Sequence, residues 1–322
     1  MVNLLINLDK VKFMEYPCII SSKEVGSSSK SELGKYLFDN RQEIFLKIYN
    51  IGAILFRGFN LKNSKDFNDI VKIFTPSLSS YVGGDSPRTK INSDIYTSTE
   101  YPAHEAISMH HEKSFSNDYP KFIYFFCETA PAIDGETPIL DSRKLYNILD
   151  QAIVDKFRTK KLKYVMNLHD GAGIGKSWQD VFELKDKKSL CNKLNTMDIE
   201  YLWKPNGMLM IEEIVNPVIQ HYHTKEWVFF SQADQWHPSN LGIETLSAME
   251  SIMPREDFYH NCYFGDGTEI DEDDLNYIRE VVAGEMVTFK WKEGDLLMLD
   301  NIISMHGRRP FSGNRRILVA MS

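Results

Sequence analysis

Cysteine is sparse in this chain, and its spacing excludes more than its number does. The four copies, Cys18, Cys127, Cys191 and Cys262, never form a C-x-x-C pair, so neither a zinc ribbon nor a redox-active dithiol is written here. Scattered thiols in a chain of this length read as reduced cysteines and not as a disulfide framework. Long apolar runs are missing too. No stretch approaches the roughly 20 apolar residues that a membrane helix needs, and residues 1–10 carry no basic leader ahead of their short apolar run. The expectation is a cytoplasmic protein with no membrane partner. Basic residues are in deficit, 37 Lys and Arg against 45 Asp and Glu, for a net charge of −8. A nucleic-acid partner is therefore not expected, because that footprint needs clustered Lys and Arg. Internal repeats and low-complexity tracts are also absent.

Aromatic residues, by contrast, are abundant at 12%, which leans toward a β-rich core. The 322 residues suffice for one large domain with a substantial interior. No linker signal divides them. A single domain over 1–322 is expected, with a helical N-terminal region and an insert at about 142–225. From Ser31 the apolar residues Leu33, Leu37, Ile44, Phe45 and Ile48 recur at helical spacing, and Gly52 supplies a stop. Residues 53–56 and 122–127 are continuous apolar runs, fit for strands buried on both faces. Ser64 is placed to cap a helix bearing Phe67, Val71 and Phe74. A helix is predicted over 142–157 and a strand over 227–230. Leu275, Ile278 and Val282 lie on a helix whose acidic first turn, Asp271–Asp274, suits the helix dipole. That acidic group lacks the spacing of a calcium loop. Residues 286–291 and 295–299 read as two strands joined by Lys292-Glu293-Gly294, and 316–321 as a last strand.

The chemistry concentrates in two places. His110-His111-Glu112 places a His and a Glu two residues apart, and in an extended strand both project to one face. His111 then points the other way and packs. A far histidine, His306, follows the strand-like run ending at Asp300-Asn301. Two imidazoles and one carboxylate are the facial ligand set of a mononuclear non-haem Fe(II) site, which leaves positions open for a co-substrate and O2. Each element alone is weak: a lone His-x-Glu is more often structural, and His306 alone reads as a loop histidine bonded to Asp300. The pair Arg315-Arg316 supplies a further role, since a guanidinium forks onto a carboxylate where Lys acts only as a point charge. On a strand the two arginines face opposite sides, so one enters the pocket and the other meets solvent or a surface acid. A hydrogen bond that orients His306 is expected from Asp300 or Asn301.

Two patterns mislead. Gly173-Ile174-Gly175-Lys176-Ser177 resembles the end of a phosphate-binding loop, but Asp170 stands where the pattern needs Gly. It reads as a mobile loop near the site's mouth. His221-Tyr222-His223 is a second i, i+2 histidine pair without a matching acid, and reads as a strand-end pair.

Taken in order, these residues resemble the clavaminate synthase-like group of Fe(II)/2-oxoglutarate dioxygenases, relatives of taurine dioxygenase. The resemblance runs over nearly the whole chain: Gly52–Phe59, Tyr96–Pro102, His110-His111-Glu112, Gly135–Pro138, Ser177–Phe182, Tyr263–Gly267, His306-Gly307-Arg308 and Gly313–Arg316. It implies a mainly β double-stranded β-helix (jelly-roll) with flanking helices, and Fe(II), 2-oxoglutarate and O2 as cofactor and co-substrates. His110, Glu112 and His306 would hold iron. Thr137 and an arginine of the 315–316 pair would hold the far carboxylate of 2-oxoglutarate. The Gly-x-Arg pattern favours Arg315, and the Arg-Arg-Ile run favours Arg316. A carboxylate at position 112 sets the chain apart from the halogenating branch, so hydroxylation is implied, with desaturation as the alternative outcome. The substrate would be a small, amino-acid-derived molecule, free or tethered to a carrier protein; Arg88, Glu100 and the 170–178 loop are candidate contacts. A metal-binding jelly-roll sensor without turnover is the competing class. The presence of both Thr137 and the arginine pair counts against it.

Overall fold

The computed structural model describes residues 15–81, 83–84, 88–92 and 94–322. The leader reading of residues 1–10 lies outside them. The predicted first helix is two helices, Lys30–Asp39 and Arg41–Ile51. Asn40 breaks it by turning its side chain back to the Tyr36 carbonyl at 2.8 Å, the competition with helical bonding for which Asn is known. Gly52 ends the second helix at φ 89°, a conformation only glycine adopts cheaply. In the next helix, Ser64–Phe74, the cap is Asn63 and not Ser64: its side chain accepts from the Lys65 and Asp66 amides. The predicted helix over 142–157 is likewise two, Ser142–Ile148 and Gln151–Lys160, the second capped by Asp150.

A six-stranded major sheet runs in the order Cys18–Ser21, Ala53–Arg57, Leu296–Asp300, Phe122–Thr129, Arg316–Met321, Tyr96–Thr97. Its central strands are apolar throughout because both faces are buried. One face, with Ile54, Phe56, Tyr124, Phe126 and Met298, packs on the N-terminal helices through Leu33, Leu37, Ile48, Phe67 and Phe74. The other face, with Leu55, Phe125, Leu297 and Val319, looks inward to Ile139 of a three-stranded minor sheet. That sheet has the order Ile107–His110, Ser304–Arg308, Ile139–Asp141. The two sheets are the jelly-roll expected. Residues 286–291 form no strand; Val287 makes only a single bridge to Ile139.

The minor sheet's outer face, Met109, Leu140 and Met305, is covered by a second core. That core is built on a four-stranded sheet that takes Leu162–Leu168, Glu200–Trp203 and Leu209–Val215 from the 142–225 segment. A fourth strand comes from His260–Phe264. Its Cys262 is buried, as are Cys18 and Cys127.

One ion pair ties the major sheet's edge together. Asp295, 1% exposed, holds Arg57 at 2.6 Å across 238 residues of sequence and also accepts from the Lys292 amide. Asp295→Ala is expected to destabilise the fold by about 3 kcal/mol, because removing one partner strands the other charge. Urea unfolding measures this; a loss under about 1 kcal/mol, the range of exposed pairs, would show the contact to be incidental.

Candidate metal and co-substrate site

His110 ends its minor-sheet strand and lies directly opposite His306 in the antiparallel register. The two rings are 4.4 Å apart between centroids. One ligand atom each from His110, Glu112 and His306 lies within 4.8 Å of the others, and all three side chains are buried. His110 Nδ1 lies 2.8 Å from the Ser108 carbonyl. A carbonyl only accepts, so Nδ1 carries a proton and Nε2 is the nitrogen left to face the triad. Burial holds the His306 pKa well below the ordinary histidine range, which suits a metal ligand. Its Nε2 faces Glu112 Oε2 at 3.9 Å. Two imidazoles and a carboxylate, dry and convergent, fit a divalent transition metal.

Glu112 does not sit on an extended strand, as the i, i+2 reading supposed. The strand stops at His110, and Glu112 begins a turn that carries Lys113 at φ 55°. Asn301 fixes it there. Asn301 Oδ1 accepts from the Glu112 amide at 2.9 Å, while Nδ2 donates to the Glu112 carbonyl at 3.0 Å and the Pro120 carbonyl at 2.8 Å. The expected support of His306 by Asp300 or Asn301 is thus corrected. Asn301 serves Glu112, and Asp300 serves His221, whose Nε2 lies 3.0 Å from Asp300 Oδ2, together with the Ile302 and Ile303 amides. His221 is therefore a structural histidine, and His223 packs at a tilt on Tyr49. His111 points away from the triad, as alternation requires. It is fully buried against Phe230 with Nε2 2.7 Å from Ser142 Oγ, and burial pushes its pKa down to about 3.

A small cleft beside the two histidines is lined by Thr137, Arg315, Arg88 and Arg308. Arg315 enters it from the turn before the last strand. Its Nε donates to the Gly135 carbonyl at 3.0 Å and Nη1 reaches Ser98 Oγ at 3.4 Å. Gly135 is required there: φ is 71°, and a Cβ would meet Phe311 at 2.8 Å and Pro131 at 2.9 Å. Burial, then the neighbouring Arg308, lower the Arg315 pKa to about 10. It stays a cation at neutral pH, and among the described residues no carboxylate pairs with it. A dry guanidinium without an anion is a receptor for one. Thr137 is held by the Trp291 indole, which donates to its Oγ1 at 3.1 Å.

Arg316 is the member of the pair that meets a surface acid. Strand alternation turns it outward, 49% exposed, where it pairs with Glu128 at 2.5 Å. Glu100 also leaves the site: it is exposed and accepts from Thr97 Oγ1 at 2.8 Å and Thr89 Oγ1 at 3.2 Å. The 170–178 loop does not line this cleft. Its Asp170 binds Trp178 and Gln179, and Gly175 abuts Tyr259. Arg88 does reach the cleft, but its partner is Glu112 Oε2 at 2.8 Å. Sequence reasoning missed Arg308 altogether. Its guanidinium donates to the carbonyls of Thr99, Tyr101, Pro102 and Glu105 at 2.7–3.3 Å, clamping that loop over the site. The adjacent His306-Gly307-Arg308 run was its only signal.

The model of the family described as "Taurine catabolism dioxygenase TauD, TfdA family" matches residues 24–321. The dapdiamide synthesis protein DdaC of Enterobacter agglomerans is 32% identical over 273 residues, 84% of this chain and 82% of that protein. A clavaminate synthase-like protein of Arabidopsis thaliana is 28% identical over 281 residues, 85% of this chain and 82% of that one. Among solved structures, asparagine oxygenase in complex with Fe(II), 3-hydroxyasparagine and succinate superposes with a TM-score of 0.56 at 12% identity. It covers 93% of this chain and 83% of that one. At that identity the likeness speaks for the fold alone. With a family match over almost the whole chain and the ligand geometry in place, this protein belongs to the TauD/TfdA family and is an Fe(II)/2-oxoglutarate-dependent oxygenase.

Proposed function

We propose that this enzyme hydroxylates an unactivated C–H bond of a small, amino-acid-derived substrate, free or tethered to a carrier protein. In this reading His110, Glu112 and His306 hold Fe(II), and Arg315 with Thr137 holds the far carboxylate of 2-oxoglutarate. The observation that supports it best is the meeting of the buried triad with a half-buried guanidinium that, among the described residues, has no anion of its own. The metal supplies oxygen activation coupled to decarboxylation of the 2-oxo acid to succinate. The residues supply the rest: two imidazoles, a fixed carboxylate and a guanidinium anchor. DdaC is named for dapdiamide synthesis, which supports a biosynthetic small molecule as substrate.

The test has two stages. Fe(II) and 2-oxoglutarate added without oxygen should give a visible charge-transfer band, which a sensor lacking the co-substrate anchor would not. Amino acids and carrier-bound aminoacyl groups should then be screened for stimulated succinate release and a product heavier by one oxygen. A product lighter by two hydrogens would replace hydroxylation with desaturation. Absence of the band would end the proposal.

A further inference from the structure

Resting on that reading of the triad, we infer that Arg88 is a positioning residue for the metal's carboxylate ligand and not a substrate contact. Arg88 Nη2 donates to Glu112 Oε2 at 2.8 Å, with side chains 3% and 4% exposed. A guanidinium keeps its charge at any working pH, and a charge-assisted bond of this length is among the stronger ones, so Arg88 fixes the direction in which the Glu112 carboxylate points.

Arg88 is itself anchored to the frame. Its guanidinium lies over the Tyr81 ring, 4.1 Å from the centroid, a cation–π contact. The Tyr81 amide in turn donates to Tyr96 Oη at 3.1 Å, and Tyr96 belongs to the major sheet. Glu112 is thus set twice, its backbone by Asn301 and its side chain by Arg88. The oxygen that Arg88 holds is the one that faces His306 Nε2 at 3.9 Å, so the second hold sets how the carboxylate presents itself to the two histidines.

The experiment measures Co(II) binding by calorimetry and the visible spectrum of bound Co(II), which reports coordination number, in the full chain. Arg88→Gln and Arg88→Lys are each expected to weaken Co(II) binding by roughly 10-fold or more, the range for outer partners of metal ligands, and to change the spectrum. The Lys variant keeps the charge and guards against a Gln variant that fails to fold. Binding within twofold of wild type in both, with an unchanged spectrum, would overturn the inference. So would tighter binding in Arg88→Gln, which would make Arg88 a mere source of repulsion. Full retention by Lys with loss in Gln would reduce it to a counterion and also overturn it. The metal reading is judged separately: it fails if wild type takes up no Co(II), or if His110→Ala takes it up equally well.

Discussion

Glu112→Ala is expected to abolish substrate-coupled succinate formation. The substitution removes the one anion of the triad and leaves two imidazoles beside the Arg88 guanidinium. A divalent ion then meets net positive charge in a dry cavity, where such charges are poorly screened. Metal affinity should fall by more than about 100-fold, the upper end for losing an outer partner of a ligand. Calorimetry with Co(II) and succinate assays at high Fe(II) measure both effects. Normal hydroxylation by Glu112→Ala would show that the ligands have been misassigned.

Arg315 carries the second large effect. Arg315→Met is expected to weaken 2-oxoglutarate binding by about 2–5 kcal/mol, the cost of truncating one side of a buried charge pair, or roughly 30-fold to several thousand-fold. Arg315→Lys keeps the charge but loses the fork that grips the Gly135 carbonyl and Ser98, so it should fall between. Arg316→Ala is the control. Its partner Glu128 is on the surface, where ion pairs contribute about 0–1 kcal/mol, so the KM for 2-oxoglutarate should move by less than about fivefold. Anaerobic titration of the charge-transfer band reads all three. Equal losses at 315 and 316 would mean that the anchor lies elsewhere.

The parts of this site legible in the sequence are those whose partners are set by periodicity. Alternation along a strand predicts that His110 parts from His111 and Arg315 from Arg316; the side chains do part, although each pair straddles the end of a strand. Long apolar runs announce strands covered on two sides, as at 53–57 and 122–129. What could not be read depends on contacts between distant segments. Arg88 looked like a surface or substrate residue because nothing local signals Glu112, 24 residues away. Asn301 looked like support for the nearby His306, yet it bonds across 189 residues to Glu112. Residues 286–291 have strand-like composition, but Trp291 is spent on Thr137 and Val287 on one bridge. The predicted helices at 31–51 and 142–157 break because Asn40 and Asp150 bond to nearby backbone groups, a local choice that apolar spacing does not reveal.

The amide of Asn301 has a consequence for how this protein can change over time. It grips the carboxylate-bearing turn from the start of the short connection that leads out of the major sheet and into the minor-sheet strand carrying His306. The five-residue step from 301 to 306 therefore acts as a ruler between the two halves of the triad. A residue inserted there would shift one donor against the other, so length variation should be tolerated in the surface loops and lethal to turnover in this short span.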